Sequence, residues 1–251
     1  MSLIPSKEGT TSAFLTEKLK KGAEERGLSL DEKALSQFAA YWDYLAARNQ
    51  VMNLTAIRDQ DEAVEKHFLD SLALAGAADL RGKRLIDVGT GAGFPGLPLK
   101  IAIPTLEVTL LDSLQKRVTF LEELTARLGL EGVSPVHARA EEWIRTAGER
   151  EAYDYATSRA VADLSVLLEL TLPYVRVGGA LLAMKTARAE EEIEAAAGAI
   201  ATLGGTVEGR YDYSLPGSPE VGRRIVIIRK VAPTPEQYPR RFAKIQKQPL
   251  A

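Results

Sequence analysis

Cysteine is absent from all 251 residues. That removes disulfides, thiolate metal sites and thiol-nucleophile mechanisms together. Histidine is scarce: His67 and His137 are the only two, too few for a histidine-built zinc centre, and no metal is expected. Asn49 and Asn53 are the only asparagines. No apolar run approaches the roughly 20 residues that span a bilayer. The start, with Lys7 and Glu8 ahead of any helix, lacks a secretory apolar stretch. A cytoplasmic protein with no membrane partner is expected. Net charge is −2, so no global excess of cations announces a polyanionic partner.

What is present is ordinary for a globular chain, with 45% hydrophobic and 26% charged residues. The length allows one α/β domain plus an extension. Charge is uneven: Glu190, Glu191, Glu192 and Glu194 cluster on a helix, whereas Arg223, Arg224, Arg229, Lys230, Arg240, Arg241, Lys244 and Lys247 gather near the end. A local basic face is therefore compatible with an acidic total.

Three segments organise the chain. Residues 1–80 read as a helical extension. Ala13 to Arg26 stops at Gly27, a second helix capped by Ser29 or Asp31 runs through Arg48, and a third covers Asp59 to Ala75. Residues 81–231 alternate short β-rich runs with helices, the sign of a parallel sheet. Strands are predicted at Arg84–Val88, Glu107–Asp112, Val133–Ala138, Tyr153–Ser158, Ala180–Lys185, Thr206–Tyr213 and Arg224–Lys230. The short link between the last two has no room for a crossover helix, so they are predicted to be antiparallel neighbours. Residues 232–251 form a basic tail, predicted irregular and surface-bound because of Pro233, Pro235, Pro239 and Pro249.

The most informative stretch is Asp87-Val88-Gly89-Thr90-Gly91-Ala92-Gly93-Phe94-Pro95-Gly96. Its glycines permit a tight turn and close approach of backbone to a ligand. The spacing G-x-G-x-G puts Phe94 where a dinucleotide fingerprint wants glycine. The form D-x-G-x-G-x-G after a first strand resembles motif I of Rossmann-like S-adenosylmethionine methyltransferases. In a doubly wound sheet, ligands sit at the carboxyl ends of strands. Asp112, about 25 positions after Asp87 and ending the second strand, suits both hydroxyls of a ribose; its other reading is a helix N-cap. Glu141, after the third strand, suits an adenine edge or, alternatively, complements a helix dipole. A NAD-type oxidoreductase and a non-catalytic RNA-binding factor with a retained pocket are the rival classes.

Absences narrow the acceptor. Methylation at an exocyclic base amine usually follows a [DN]-P-P-[FY] element, where this chain has Ala156-Thr157-Ser158-Arg159-Ala160. Methylation at pyrimidine C5 needs a cysteine. Ribose 2′-O methylation wants a base, and Lys185 keeps that option open. Purine N7 already carries a lone pair, so its methylation rests on positioning and exclusion of water.

Asn53-Leu54-Thr55, His67-Phe68-Leu69-Asp70-Ser71, the Asp87–Gly96 loop, Leu114-Gln115-Lys116-Arg117, Arg139-Ala140-Glu141, Ser158-Arg159-Ala160 and Tyr238-Pro239-Arg240 stand in this order over nearly the whole chain. In them the chain resembles the bacterial small-subunit ribosomal RNA guanine-N7 methyltransferases, also called glucose-inhibited division protein B. It departs from that family at Arg241-Phe242-Ala243, where a glycine is usual. The resemblance implies a class I methyltransferase with a seven-stranded, mostly parallel sheet, an antiparallel last strand and an N-terminal helical extension. It implies S-adenosylmethionine as cofactor, S-adenosylhomocysteine as product, and a guanine in the decoding-centre loop of 16S rRNA, naked or in the small subunit, as substrate. A monomer is expected. Asp87, Gly89, Gly91 and Phe94 are expected at the cofactor, Asp112, Ser113 and Leu114 at its ribose, and Ala140 and Glu141 at its adenine. Arg159 is expected at the methionyl end or the acceptor, as the catalytic residue. Phe94 is either a wall for the base or core. Asn53, Thr55 and His67 either close a turn and a helix packing or touch the flipped base. Arg48, Arg58, Lys66, Lys100 and Lys116 are candidate phosphate contacts.

Overall fold

The alternation that begins near Lys83 builds one sheet. The computed structural model describes residues 7–159, 162–186 and 189–250. Within them, β1 (Arg84–Val88), β2 (Glu107–Asp112), β3 (Val133–His137), β4 (Tyr153–Arg159), β5 (Val175–Thr186), β6 (Gly205–Leu215) and β7 (Ser218–Lys230) pair in the order β3-β2-β1-β4-β5-β7-β6. Strands β1 to β5 are mutually parallel, and β7 runs antiparallel to both β5 and β6. The order reverses between β1 and β4, which opens a crevice at the carboxyl ends of β1, β2 and β4.

Alternation along the strands divides the core in two. Leu85 and Leu110 join one buried cluster, and Ile86 and Leu111 join the other. The first cluster is covered by α1 (Lys7–Glu24), α2 (Glu32–Met52), α3 (Gly96–Ala102) and α4 (Gln115–Leu128). The second is covered by α5 (Ala140–Trp143), α6 (Leu164–Thr171), α7 (Ala189–Ala195), α8 (Ala197–Thr202) and, in the tail, α9 (Phe242–Lys247).

Helix α2 starts where the Asp31 carboxylate accepts the Ala34 N–H at 2.7 Å, so Asp31 and not Ser29 is the cap. It buries Phe38, Tyr41, Trp42 and Leu45, each contributing about 1.5–3 kcal/mol of apolar burial. It runs beyond Arg48 to Met52 and ends at Asn53 in the left-handed region (φ 51°). The third helical stretch is interrupted: α-helical turns at Gln60–Ala63, Asp70–Leu72 and Leu74–Ala77 flank a π-helical turn, Val64–Leu69. Apolar periodicity alone cannot distinguish that wider turn from α-helix.

The tail is less free than its prolines suggest. Buried Lys230 donates to Leu172 O at 2.9 Å and Thr234 Oγ1 at 2.6 Å. The Arg240 guanidinium grips the buried Glu169 carboxylate, and Ile245 of α9 is fully buried. Residues 232–241 keep the irregular, largely exposed path predicted from the prolines, pinned by these polar anchors, and only Phe242–Lys247 departs from it as a short helix.

Candidate cofactor and acceptor cleft

The glycine-rich turn is shaped from below. Gly89, Gly91 and Gly93 all have positive φ (73°, 62° and 101°). The N–H groups of Gly89 and Thr90 donate to Leu111 O at 2.8 and 3.2 Å, drawing the loop over β2. Asp87 Oδ2 accepts from Thr90 Oγ1 at 2.7 Å and the Gly96 N–H at 2.9 Å. Its Oδ1 is buried with no partner among the described residues. Burial raises this carboxyl to about 6, against the opposing pull of the bonds from Thr90 and Gly96. A Cβ added at Gly91 would project into open space, so this stretch offers bare backbone to a ligand. At Gly93 a Cβ would come within 2.7 Å of both Leu97 and the Tyr41 hydroxyl. That hydroxyl donates to Ala92 O at 2.6 Å, tying α2 to the loop.

Asp112 holds the loop from the side. Its Oδ2 accepts the Gly91 N–H at 3.0 Å and Arg117 Nη1 at 3.2 Å, and its Oδ1 accepts the Leu114 N–H at 2.9 Å. The carboxylate is buried, and Oδ1 keeps a lone pair for a further donor.

Across the crevice, the end of β4 is bound to the π-helical turn. Arg159 Nη1 donates to Lys66 O at 2.9 Å and Asp70 Oδ2 at 3.1 Å, and Nη2 lies 3.2 Å from His67 Nδ1. The guanidinium also rests over the Phe94 ring, 5.0 Å from its centre. Asp70 is shared further, accepting from the Tyr213 hydroxyl at 2.8 Å and Arg223 Nη1 at 3.1 Å. Phe94 itself stacks between Tyr41 and His67, with centroids 5.3 and 4.3 Å away. Burial, reinforced by the Arg159 cation, holds the His67 imidazole down at about 3, so the ring is neutral at physiological pH.

Gly89, Gly91, Phe94, Asp112, Ser113 and Arg159 line one cleft of about 490 Å³, together with Thr55, His67 and Arg117. Phe94 is both a cleft wall and a core residue, being almost fully buried in the first cluster. Asp87 lies beneath, and Leu114 is half-exposed with its N–H on Asp112. Glu141 borders a different cleft, of about 630 Å³, with Arg139, Arg145, Arg240 and Arg241. The Ala140 carbonyl accepts from the Tyr174 hydroxyl. Ala160, the last residue of the Ser-Arg-Ala element, lies outside the described residues.

Other candidates fall elsewhere. Lys100 is buried, with Nζ on the carbonyls of Pro104 and Leu106 at 2.7 Å each, so it is no phosphate contact. Lys185 Nζ is taken by Ala162 O at 2.9 Å and Glu192 Oε2 at 2.6 Å, away from the cleft. Asn49 was not anticipated. Its side chain accepts from the N–H groups of Leu54 and Thr55 at 2.6 and 2.9 Å and donates to Thr55 O at 2.8 Å. It thereby performs the turn closure expected of Asn53. Among the described residues no cluster of histidine, aspartate and glutamate is arranged to hold a metal ion.

The sheet order, a glycine-floored cleft of small-molecule size and an acid at the end of β2 define a Rossmann-like S-adenosylmethionine-dependent methyltransferase. The bare backbone at Gly91, the unpartnered Asp87 Oδ1 and the spare lone pair of Asp112 fit the polar groups of that cofactor. The chain belongs to the family described as "rRNA small subunit methyltransferase G", whose pattern matches residues 34–211.

Among curated relatives, "Ribosomal RNA small subunit methyltransferase G" of Acetivibrio thermocellus is 48% identical over 229 residues, covering 91% of this chain and 94% of its own. Its namesake in Bacillus subtilis is 46% identical over 235 residues, covering 93% and 98%. A solved SAM-dependent methyltransferase from Aquifex aeolicus superposes with TM-score 0.52 at 15% identity, covering 70% of this chain and 96% of its own. The cyclase SpnF gives TM-score 0.51 at 18% identity, covering 66% and 82%. These two likenesses concern the fold, which evidently serves more than one chemistry.

Proposed function

We propose that the chain methylates N7 of a guanine in the decoding-centre loop of 16S rRNA, using S-adenosylmethionine. The observation that carries this reading is what the cleft does with its polar side chains. Asp112 is engaged by loop N–H groups, Arg159 and His67 are engaged with each other, and Lys185 is anchored elsewhere. Among the described residues none in the cleft is poised to remove a proton, which suits an acceptor that brings its own lone pair. The bound cofactor supplies an electrophilic methyl group on a sulfonium. The residues of the chain do the rest. Gly89 and Gly91 offer backbone, Asp112 with Ser113 and Leu114 takes the ribose, and Asp87 Oδ1 accepts from the ammonium. Phe94 and the Arg159 guanidinium wall the acceptor side and limit water. Ala140 and Glu141, which follow β3, remain the proposed adenine contacts.

The target base must leave its stack to reach this depth, so the rim has to hold phosphates. Lys116 and Arg58, close in sequence to the cleft residues Arg117 and Thr55, and Arg139, Arg145 and Arg241 in the Glu141 cleft, are the proposed contacts. Arg48 and Lys66 are less available because they pair with Glu123 at 3.2 Å and with Glu62 at 2.6 Å. A monomer working in the cytoplasm on rRNA or the small subunit is the proposed form. No helix among the described residues is long and apolar enough to cross a membrane. Mass mapping of small-subunit rRNA after incubation with labelled cofactor tests the reading, because it reports both base and atom.

A further inference from the structure

The hydrogen bonds around Thr55, a residue of the cleft wall, leave its hydroxyl hydrogen unclaimed. Arg159 has only N–H groups to offer, so His67 Nδ1, 3.2 Å from Nη2, must accept. The neutral ring then carries its hydrogen on Nε2, which lies 2.7 Å from Thr55 Oγ1 and donates to it. The Ile57 N–H donates to the same oxygen at 3.1 Å. A hydroxyl has two lone pairs and one hydrogen. Both lone pairs are therefore filled, and the hydrogen has no acceptor among the described residues. Thr55 lines the cleft beside His67, Phe94 and Arg159.

We infer that Thr55 is the specificity-determining donor for the acceptor base, giving its hydroxyl hydrogen to the C6 oxygen of guanine. The inference rests on the guanine-N7 reading and deepens it. Any purine that turns N7 toward the methyl donor presents its C6 substituent alongside. In guanine that substituent is an oxygen acceptor, and in adenine an amine donor. Because its lone pairs are spoken for, Thr55 cannot reverse its role to accept from an amine. Asp70 contributes from behind by holding Arg159, Arg159 fixes the His67 tautomer, and His67 fixes the direction of Thr55. Discrimination between guanine and adenine thus follows from a relay of one-way donors that begins at a permanent cation.

The test uses full-length protein and small-subunit rRNA carrying guanine, hypoxanthine or 2-aminopurine at the methylated position. Wild type is expected to use guanine and hypoxanthine, which keep the C6 oxygen, and to lose about ten- to a hundredfold in kcat/KM on 2-aminopurine, which lacks it. Thr55→Val is expected to lose a similar factor on guanine and to erase the preference, with adenosylhomocysteine affinity retained. Thr55→Ser, which keeps the hydroxyl, is expected to restore the preference. Equal use of guanine and 2-aminopurine by wild type overturns the inference without needing any variant, as does an undiminished preference in Thr55→Val. Failure of wild type to form N7-methylguanine at all overturns the underlying function instead, so the two failures are distinct.

Discussion

Arg159 Nη2 lies 3.2 Å from His67 Nδ1, and with the Nη1 bonds to Lys66 O and Asp70 Oδ2 this contact joins the end of β4 to the N-terminal helical segment beside the cleft. Since a guanidinium only donates, it sets the tautomer of a buried imidazole and, through it, the polarity of the acceptor side.

His67 ties the stability of the fold to pH. Its folded value near 3 lies below the unfolded value of about 6.5, so the unfolded chain binds more protons between those limits. The contribution to stability is full above about 6.5 and declines as pH falls toward 3. Relative to His67→Gln, wild type should lose about 1.4 kcal/mol per pH unit between roughly pH 6 and 4 in urea unfolding. A difference that stays constant with pH would show that the ring is not held neutral.

Asp87 behaves in the opposite sense. Its carboxyl is raised to about 6, so the folded chain binds the extra proton between its ordinary value and 6. That stabilising contribution is full at low pH and is lost as pH rises through 6. If Oδ1 accepts from the cofactor ammonium, affinity for adenosylhomocysteine should fall about tenfold per pH unit below pH 6. Titration calorimetry should also find weak, pH-independent binding in Asp87→Asn.

Gly91 separates cofactor binding from folding. Its φ of 62° makes any Cβ costly by about 1–2 kcal/mol, while the space around it is open. Gly91→Val should therefore remain folded, with melting temperature lowered by a few degrees, yet lose adenosylhomocysteine binding. Retained affinity would move the cofactor off this loop.

The basic rim makes an electrostatic prediction. Arg139→Glu and Arg241→Glu should weaken binding to small-subunit rRNA and flatten the salt dependence of the binding constant. Each phosphate contact removed should lower the slope of log K against log salt by about 1. Unchanged slopes would place the RNA elsewhere.

Local patterns made the sheet legible. Runs such as Leu85-Ile86 and Leu110-Leu111 are buried on both faces, and the glycine-rich turn needs positive φ at its glycines. Relationships distant in the chain were not legible. His67 and Arg159 are far apart in sequence, and no short motif encodes the contact that fixes their roles. Lys100 looked like a surface cation because its periodicity says nothing about the carbonyls of Pro104 and Leu106 that receive it. Asn49 and Asn53 were visible as the only asparagines, but which of them closes the turn depends on where α2 ends. The anchoring of the tail through Arg240 and Glu169 likewise arises from tertiary contact alone.

The central claim is that this cleft delivers a methyl group to guanine N7 in small-subunit rRNA. Mass mapping of 16S rRNA or small subunits incubated with the purified chain and methyl-labelled S-adenosylmethionine tests it most directly. Label is expected on N7 of a guanine in the decoding-centre loop. Label on a ribose 2′-oxygen or an exocyclic amine, or no transfer to either substrate, would contradict it.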